Sequence, residues 1–168
     1  VEIKAQLVGG GQEGRRRAGT ENVAATVGFA KVCAEIQGQN HEISRMLHLR
    51  NQFEELLISQ VPDIEIFGRG SPRLVNTCCL RIPGSPAEMQ VIALDLAGIA
   101  VSAGAACSSG KVTASHVLTA MGVDSSAANE TIRVSVGWAT TESEIKHAAE
   151  AWLALYDQSQ KGLSGLVQ

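Results

Sequence analysis

The chain has 168 residues with 14 basic and 17 acidic side chains, a formal net charge of -3, which suits one compact domain with a core of its own and gives no electrostatic footprint for nucleic acid or an anionic membrane. Charged residues make up 18%, below the roughly 25% of an average soluble protein, so some of the surface reads as normally covered. Seventeen glycines without a G-X-Y period exclude collagen, and no apolar run approaches the roughly 18 residues of a membrane span.

Val1-Glu2-Ile3-Lys4 runs into a polar glycine-rich loop rather than the apolar core of a signal peptide. Cys33, Cys78, Cys79 and Cys107 have neither metal-ligand spacing nor disulfide-scaffold density, so no metal is expected and a reducing, cytoplasmic setting fits. The chain starts without Met, as a fragment would.

In chain order, Gly9 to Thr20 reads as one long loop, with Thr20 as the N-cap of a helix carrying Val23, Val27, Ala30 and Ala34 on one stripe. Gly38 and Asn40 break it. A second helix follows with Ile43, Met46, Leu47, Arg50, Phe53 and Leu57 spaced by threes and fours. Ile64 to Phe67 alternates like a short strand, and Leu74 to Ile82 reads as a longer, central one. Ser85-Pro86-Ala87-Glu88 has the form of a capping box, and Gly98 closes the helix that follows. Ile99 to Ser102 is a short strand running into Gly104 to Gly110; Thr113 or Ser115 opens a short helix that Gly122 stops. Thr131 to Trp138 is a strand with Ile132, Val134 and Val136 facing one way. Thr141-Glu142-Ser143-Glu144 is a second capping box, leading a helix whose apolar face is Ile145, Ala148, Ala149, Trp152 and Leu155. The tail after Gln158 reads as frayed. This order predicts an α/β fold with a small mixed or mainly antiparallel sheet and helices packed mostly on one face.

Cys107 is the sharpest chemical feature. Small residues surround it, Gly104 and Gly110 bracket it, and a thiol in such a setting suits a nucleophile that must reach a substrate and leave with cargo; a small buried residue beside a turn is the bland alternative. Core packing is expected for Cys33, Cys78 and Cys79. The Gly9-Gly10-Gly11 loop could offer backbone N–H groups to a phosphate but matches neither nucleotide fingerprint, so a plain connection is as good a reading. Arg15, Arg16 and Arg17 read as a solvated basic turn. Arg133, inside an apolar strand, either faces solvent or meets a carboxylate in a bidentate fork. His116 fits a helix surface or cap better than a proton-transfer role.

Three segments together resemble the cysteine desulfurases, pyridoxal-phosphate enzymes of the fold-type I, class V aminotransferase group. They are Gly9 to Glu13 continuing through Arg17-Ala18-Gly19-Thr20-Glu21-Asn22-Val23, then Ser102 to Gly110 with Ser115-His116-Val117-Leu118, then Ile132-Arg133-Val134-Ser135. The resemblance implies the small C-terminal domain of such an enzyme, from the group with the longer cysteine loop. It implies that L-cysteine is converted to L-alanine on pyridoxal phosphate acting as electron sink, with the sulfur taken as a persulfide on Cys107 and passed to iron–sulfur cluster or thiolation acceptors. Arg133 matches the arginine that grips the substrate carboxylate. Thr20 matches the threonine that reaches the cofactor phosphate of a second subunit across a homodimer interface. The remaining implied partner is a sulfur-acceptor or scaffold protein, with no nucleic acid and no membrane.

Two departures accompany the resemblance. Arg15 stands where the family usually has the second glycine of its first loop, directly after Gly14. The histidine–lysine pair that attaches the cofactor does not occur; Lys146-His147 has the reverse order. The expected organisation is therefore 1–36 as a glycine-rich interface loop and connecting helix that would lie against a large cofactor domain, 37–158 as the small α/β domain, and 159–168 as a flexible tail, inactive alone. A selenocysteine lyase relative and a free-standing sulfur-carrier domain are the alternatives.

Overall fold

The computed structural model of the chain describes residues 4–104 and 114–164, with side chains as far as 161. It falls into two compact units, Val1–Asn40 and His41–Gln168.

The first unit is a loop and a helix. Ala18 N–H donates to the Leu7 carbonyl at 3.0 Å, and Leu7 and Arg17 form an isolated parallel bridge that closes the loop at its base. Gly9 lies close beneath it: a Cβ there would come within 3.0 Å of the Ala18 Cβ. At the tip a short 3-10 turn, Gln12–Arg15, contains a left-handed stretch. Helix α1 spans Val23–Ile36 and buries no residue. Its N-cap is Asn22, whose Oδ1 accepts from Ala25 N–H, and not Thr20 as the sequence predicts; Asn22 directly precedes the first helical residue, Val23, and so sits within reach of the free N–H groups of the first turn.

The second unit is a four-stranded antiparallel sheet in the order β1-β2-β4-β3, comprising β1 (Ile66–Phe67), β2 (Thr77–Arg81), β3 (Ser102–Ala103) and β4 (Thr131–Ser135). Around it run α2 (Asn40–Gln60), α3 (Ala87–Leu96), α4 (His116–Ala120), α5 (Ser125–Asn129) and α6 (Glu142–Ser164). The α/β class and the antiparallel sheet agree with the sequence reading. Cys78 and Leu80 of β2 and Ile132 of β4 meet Leu49, Phe53 and Leu57 of α2, Ala87 and Leu94 of α3, and Ile145, Ala149 and Trp152 of α6 in a single core. Three helices thus cover one sheet face, and each large side chain buried there contributes about 1.5–3 kcal/mol.

Several local expectations change. The α2 seam is Leu49–Phe53–Leu57, while Ile43 and Leu47 lie exposed. Strand β2 begins at Thr77 rather than Leu74 because the preceding segment is tied to α2: Arg50 donates to the Leu74 carbonyl at 2.8 Å, and Arg73 forks onto Glu54. Pro86, not Ser85, occupies the N-cap of α3, and no side chain caps it; Ser85 instead gives its carbonyl to Gln90. The Thr141–Glu144 box forms as predicted, with Thr141 N–H donating to the Glu144 carboxylate at 2.7 Å and Glu144 N–H to the Thr141 hydroxyl at 3.3 Å. Helix α6 continues through Ser164, past the Gln158 at which the sequence reading stops it. Helix α5, with Asp124 as N-cap, has no apolar stripe to announce it in the sequence.

Candidate active site

One rung crosses the whole sheet: Phe67 lies opposite Cys79, Cys79 opposite Arg133, and Arg133 opposite Ser102. Side chains alternate along a strand, so with Leu80 and Ile132 fully buried in the core, Cys79 and Arg133 face away from it. On that side Val117 and Leu118 of α4, with Met121 just after it, close a cavity of about 170 Å³ over Phe67, Cys79 and Arg133. Ser115 caps α4, accepting from Leu118 N–H, and Gly122 at φ +86 ends it, which holds this apolar cover in place. Its walls are mainly apolar, so the guanidinium of Arg133 is the charged group that a ligand would meet there. Arg133 is exposed and takes no carboxylate partner among the described residues, the solvent-facing one of its two readings.

Gly104 and Ser115 both line this cavity. Gly104 directly precedes, and Ser115 follows by one residue, the segment 105–113 that contains Cys107, which itself lies outside the described residues. His116 is exposed at the first position of α4.

The other three cysteines separate by environment. Cys33 is exposed on α1, contrary to the core packing expected, because α1 has no neighbour within its unit to bury it. Cys78 is buried, and burial together with the adjacent Glu54 carboxylate pushes its thiol far above the ordinary range. Cys79 forms part of the cavity wall. Burial raises its thiol too, against the opposing pull of the Arg133 and Arg73 guanidinium groups, so it stays protonated at neutral pH. No local pattern in the sequence places it beside Arg133, since strand pairing makes that neighbourhood across more than fifty residues.

In the first unit, Gly19 at φ +97 turns the chain into Thr20, which is exposed. The Thr20 hydroxyl has no hydrogen-bond partner among the described residues, while its carbonyl accepts from Arg17 Nη1 at 2.9 Å. Glu13, Gly14 and Arg15 all have positive φ, at 49°, 61° and 65°. A free hydroxyl beside a basic turn suits the phosphate end of pyridoxal phosphate. For the aldehyde end, no lysine is among the described residues lining the Arg133 cavity.

The geometry is that of a small-domain sheet presenting one arginine at a cavity rim. Residues 3–147 match the family model described as aminotransferase class-V, and the chain belongs to that family of pyridoxal-phosphate-dependent enzymes. Within it, the chain is similar to the cysteine desulfurase of Cereibacter sphaeroides, 39% identical over 158 residues covering 94% of this chain and 40% of that protein. The cysteine desulfurase of Klebsiella pneumoniae is 38% identical over 161 residues, again 94% of this chain and 40% of the relative. Among solved structures, a NifS-like protein from Rickettsia africae superposes with a TM-score of 0.78 at 33% identity, covering 94% of this chain and 41% of that one. The chain spans about 40% of the length of the curated relatives it matches. No helix among the described residues is long and apolar enough to cross a membrane.

Proposed function

We propose that this chain provides the sulfur-accepting half of a cysteine desulfurase, the enzyme that turns L-cysteine into L-alanine and carries the sulfur away as a persulfide. The observation that supports this best is the cavity on the Cys79–Arg133 rung, whose rim includes both flanks of the Cys107 segment. Arg133 binds the substrate carboxylate. Its guanidinium has no competing carboxylate among the described residues and stands at the rim of a mainly apolar cavity lined by Phe67, Val117 and Met121, free to make a charge-assisted hydrogen bond to an entering carboxylate. Cys107, as thiolate, takes the substrate sulfur and becomes the persulfide, which passes to a sulfur-acceptor protein. Thr20 donates its hydroxyl to the cofactor phosphate of a second subunit. Pyridoxal phosphate, when bound, supplies the electron sink for breaking the carbon–sulfur bond. The domain assignment proposed with this reading is 1–36 as interface loop and connecting helix and 37–158 as the small domain, within a cytoplasmic homodimer.

The test is persulfide at Cys107, detected by mass spectrometry as one added sulfur after L-cysteine is given to the cofactor-loaded enzyme containing this sequence. Cys107→Ser abolishes that adduct and sulfide transfer while cofactor absorbance persists; retained transfer would refute the role. The chain alone, given pyridoxal phosphate and L-cysteine, releases no alanine, because its sequence lacks the histidine–lysine pair that attaches the cofactor. Stoichiometric alanine from the chain would overturn that expectation.

A further inference from the structure

We infer that Arg17 is a positioning residue for Thr20: it fixes the backbone from which the phosphate-binding hydroxyl projects. The inference rests on the reading of Thr20 given above. Arg17 Nη1 donates to two successive carbonyls, Gly19 at 3.3 Å and Thr20 at 2.9 Å. The same residue's backbone is held by the bridge to Leu7, and the next residue's N–H bonds the Leu7 carbonyl. The guanidinium therefore extends a fixed point of the loop across the Gly19 turn, where φ +97 is a conformation glycine reaches without strain and would also leave readily. Nothing else among the described residues holds those two carbonyls. With both carbonyls accepting from the one Nη1, the peptide planes on either side of Thr20 are set, and the Thr20 hydroxyl has no partner among the described residues. Arg16, beside it on the same basic turn, makes no such bonds to Gly19 or Thr20, so the two arginines have different work despite equal charge.

The experiment is a double-substitution cycle in the cofactor-loaded dimer containing this sequence, read as the rate at which pyridoxal phosphate dissociates, followed by its absorbance. Thr20→Val and Arg17→Gln each speed release by about five- to tenfold, the scale of one or two hydrogen bonds lost. Because Arg17 acts through Thr20, the double variant releases no faster than either single one. Arg16→Gln, which removes the same charge from the same turn, changes the rate less than about twofold, the scale of an exposed charge. Arg17→Lys, which keeps the charge but on a shorter side chain that reaches the two carbonyls less well, falls between wild type and Arg17→Gln. Amide exchange at Ala18 stays slow in every variant, which separates a misplaced Thr20 from a collapsed loop. Additive rates in the double variant, equal effects of Arg16→Gln and Arg17→Gln, or loss of Ala18 protection would overturn the inference. If Thr20→Val leaves the rate unchanged, the phosphate role of Thr20 itself fails, a result distinct from Thr20→Val acting while Arg17→Gln does not.

Discussion

Arg15 shows how a departure from a family pattern becomes a measurable strain. Its φ of +65 places an arginine in the left-handed region at the position where the resemblance expects glycine. A non-glycine residue there costs about 1–2 kcal/mol, partly offset by the roughly 0.5–1 kcal/mol of extra backbone entropy that glycine loses on folding. Arg15→Gly is therefore expected to stabilise the loop by about 0.5–1 kcal/mol, seen as slower amide exchange at Ala18, whose N–H closes the loop onto Leu7. Arg133 invites a second substitution. Because it is exposed in the structure, Arg133→Gln should weaken L-cysteine binding to the loaded enzyme by about 1.5–3 kcal/mol, the range for a hydrogen bond to a charged group and less than a fully buried pair would lose. An unchanged apparent affinity would place it outside the site. That Arg133 faces away from the core was readable from the Ile132, Val134 and Val136 alternation. The cavity around it was not, because Phe67, Cys79 and Met121 reach it through strand pairing and helix packing that no local pattern encodes.

Helix α2 carries a charge cluster that its sequence period does not reveal. Glu54 is 3% exposed, and its two carboxylate oxygens accept from Arg73 at 2.7 Å each, with Arg50 and Arg69 also close. Burial alone would push this carboxyl up, but the Arg73 fork, a bond from Cys78 and the nearby Arg50 charge together hold it below its usual 4.5. A depressed carboxyl contributes stability above its unfolded pKa, and that contribution is lost as the pH falls through the folded value. Glu54→Gln leaves the Arg73 guanidinium half-buried without its partner, at a cost of about 3–5 kcal/mol at neutral pH. The gap from wild type should narrow in acid, as urea denaturation at the two conditions would show. Of the stripe predicted on the same helix, Met46, Arg50, Phe53 and Leu57 do turn inward, while Ile43 and Leu47 lie exposed and Leu49, outside it, joins Phe53 and Leu57 at spacing four in the core. Capping was legible where both partners sit within one turn, as at Thr141 and Glu144. It failed at Ser85, where Pro86 takes the N-cap position and leaves Ser85 one residue outside the helix.

At the scale of the molecule, the two units differ in what holds them. The His41–Gln168 unit has a continuous core, whereas α1 buries nothing, with Val23, Val27, Phe29, Val32 and Ile36 each more than half exposed. A helix of 14 residues without packing is marginal in water. Amide exchange should accordingly be fast along α1 and slowest in β2 and β4; equal protection in both would mean that α1 is covered in solution. The pair of tryptophans gives this contrast a colour. Trp138 is 83% exposed on a turn whose carbonyls at Gly137, Trp138 and Thr140 are all gripped by Arg45. Trp152 is 1% exposed and stacked on Tyr156 at 5.5 Å. The chain thus contains one indole emitting from water and one emitting from oil. Iodide in the buffer should darken the red-shifted emission and spare the blue, so a partner settling over the Trp138 turn would announce itself as light that the quencher can no longer take away.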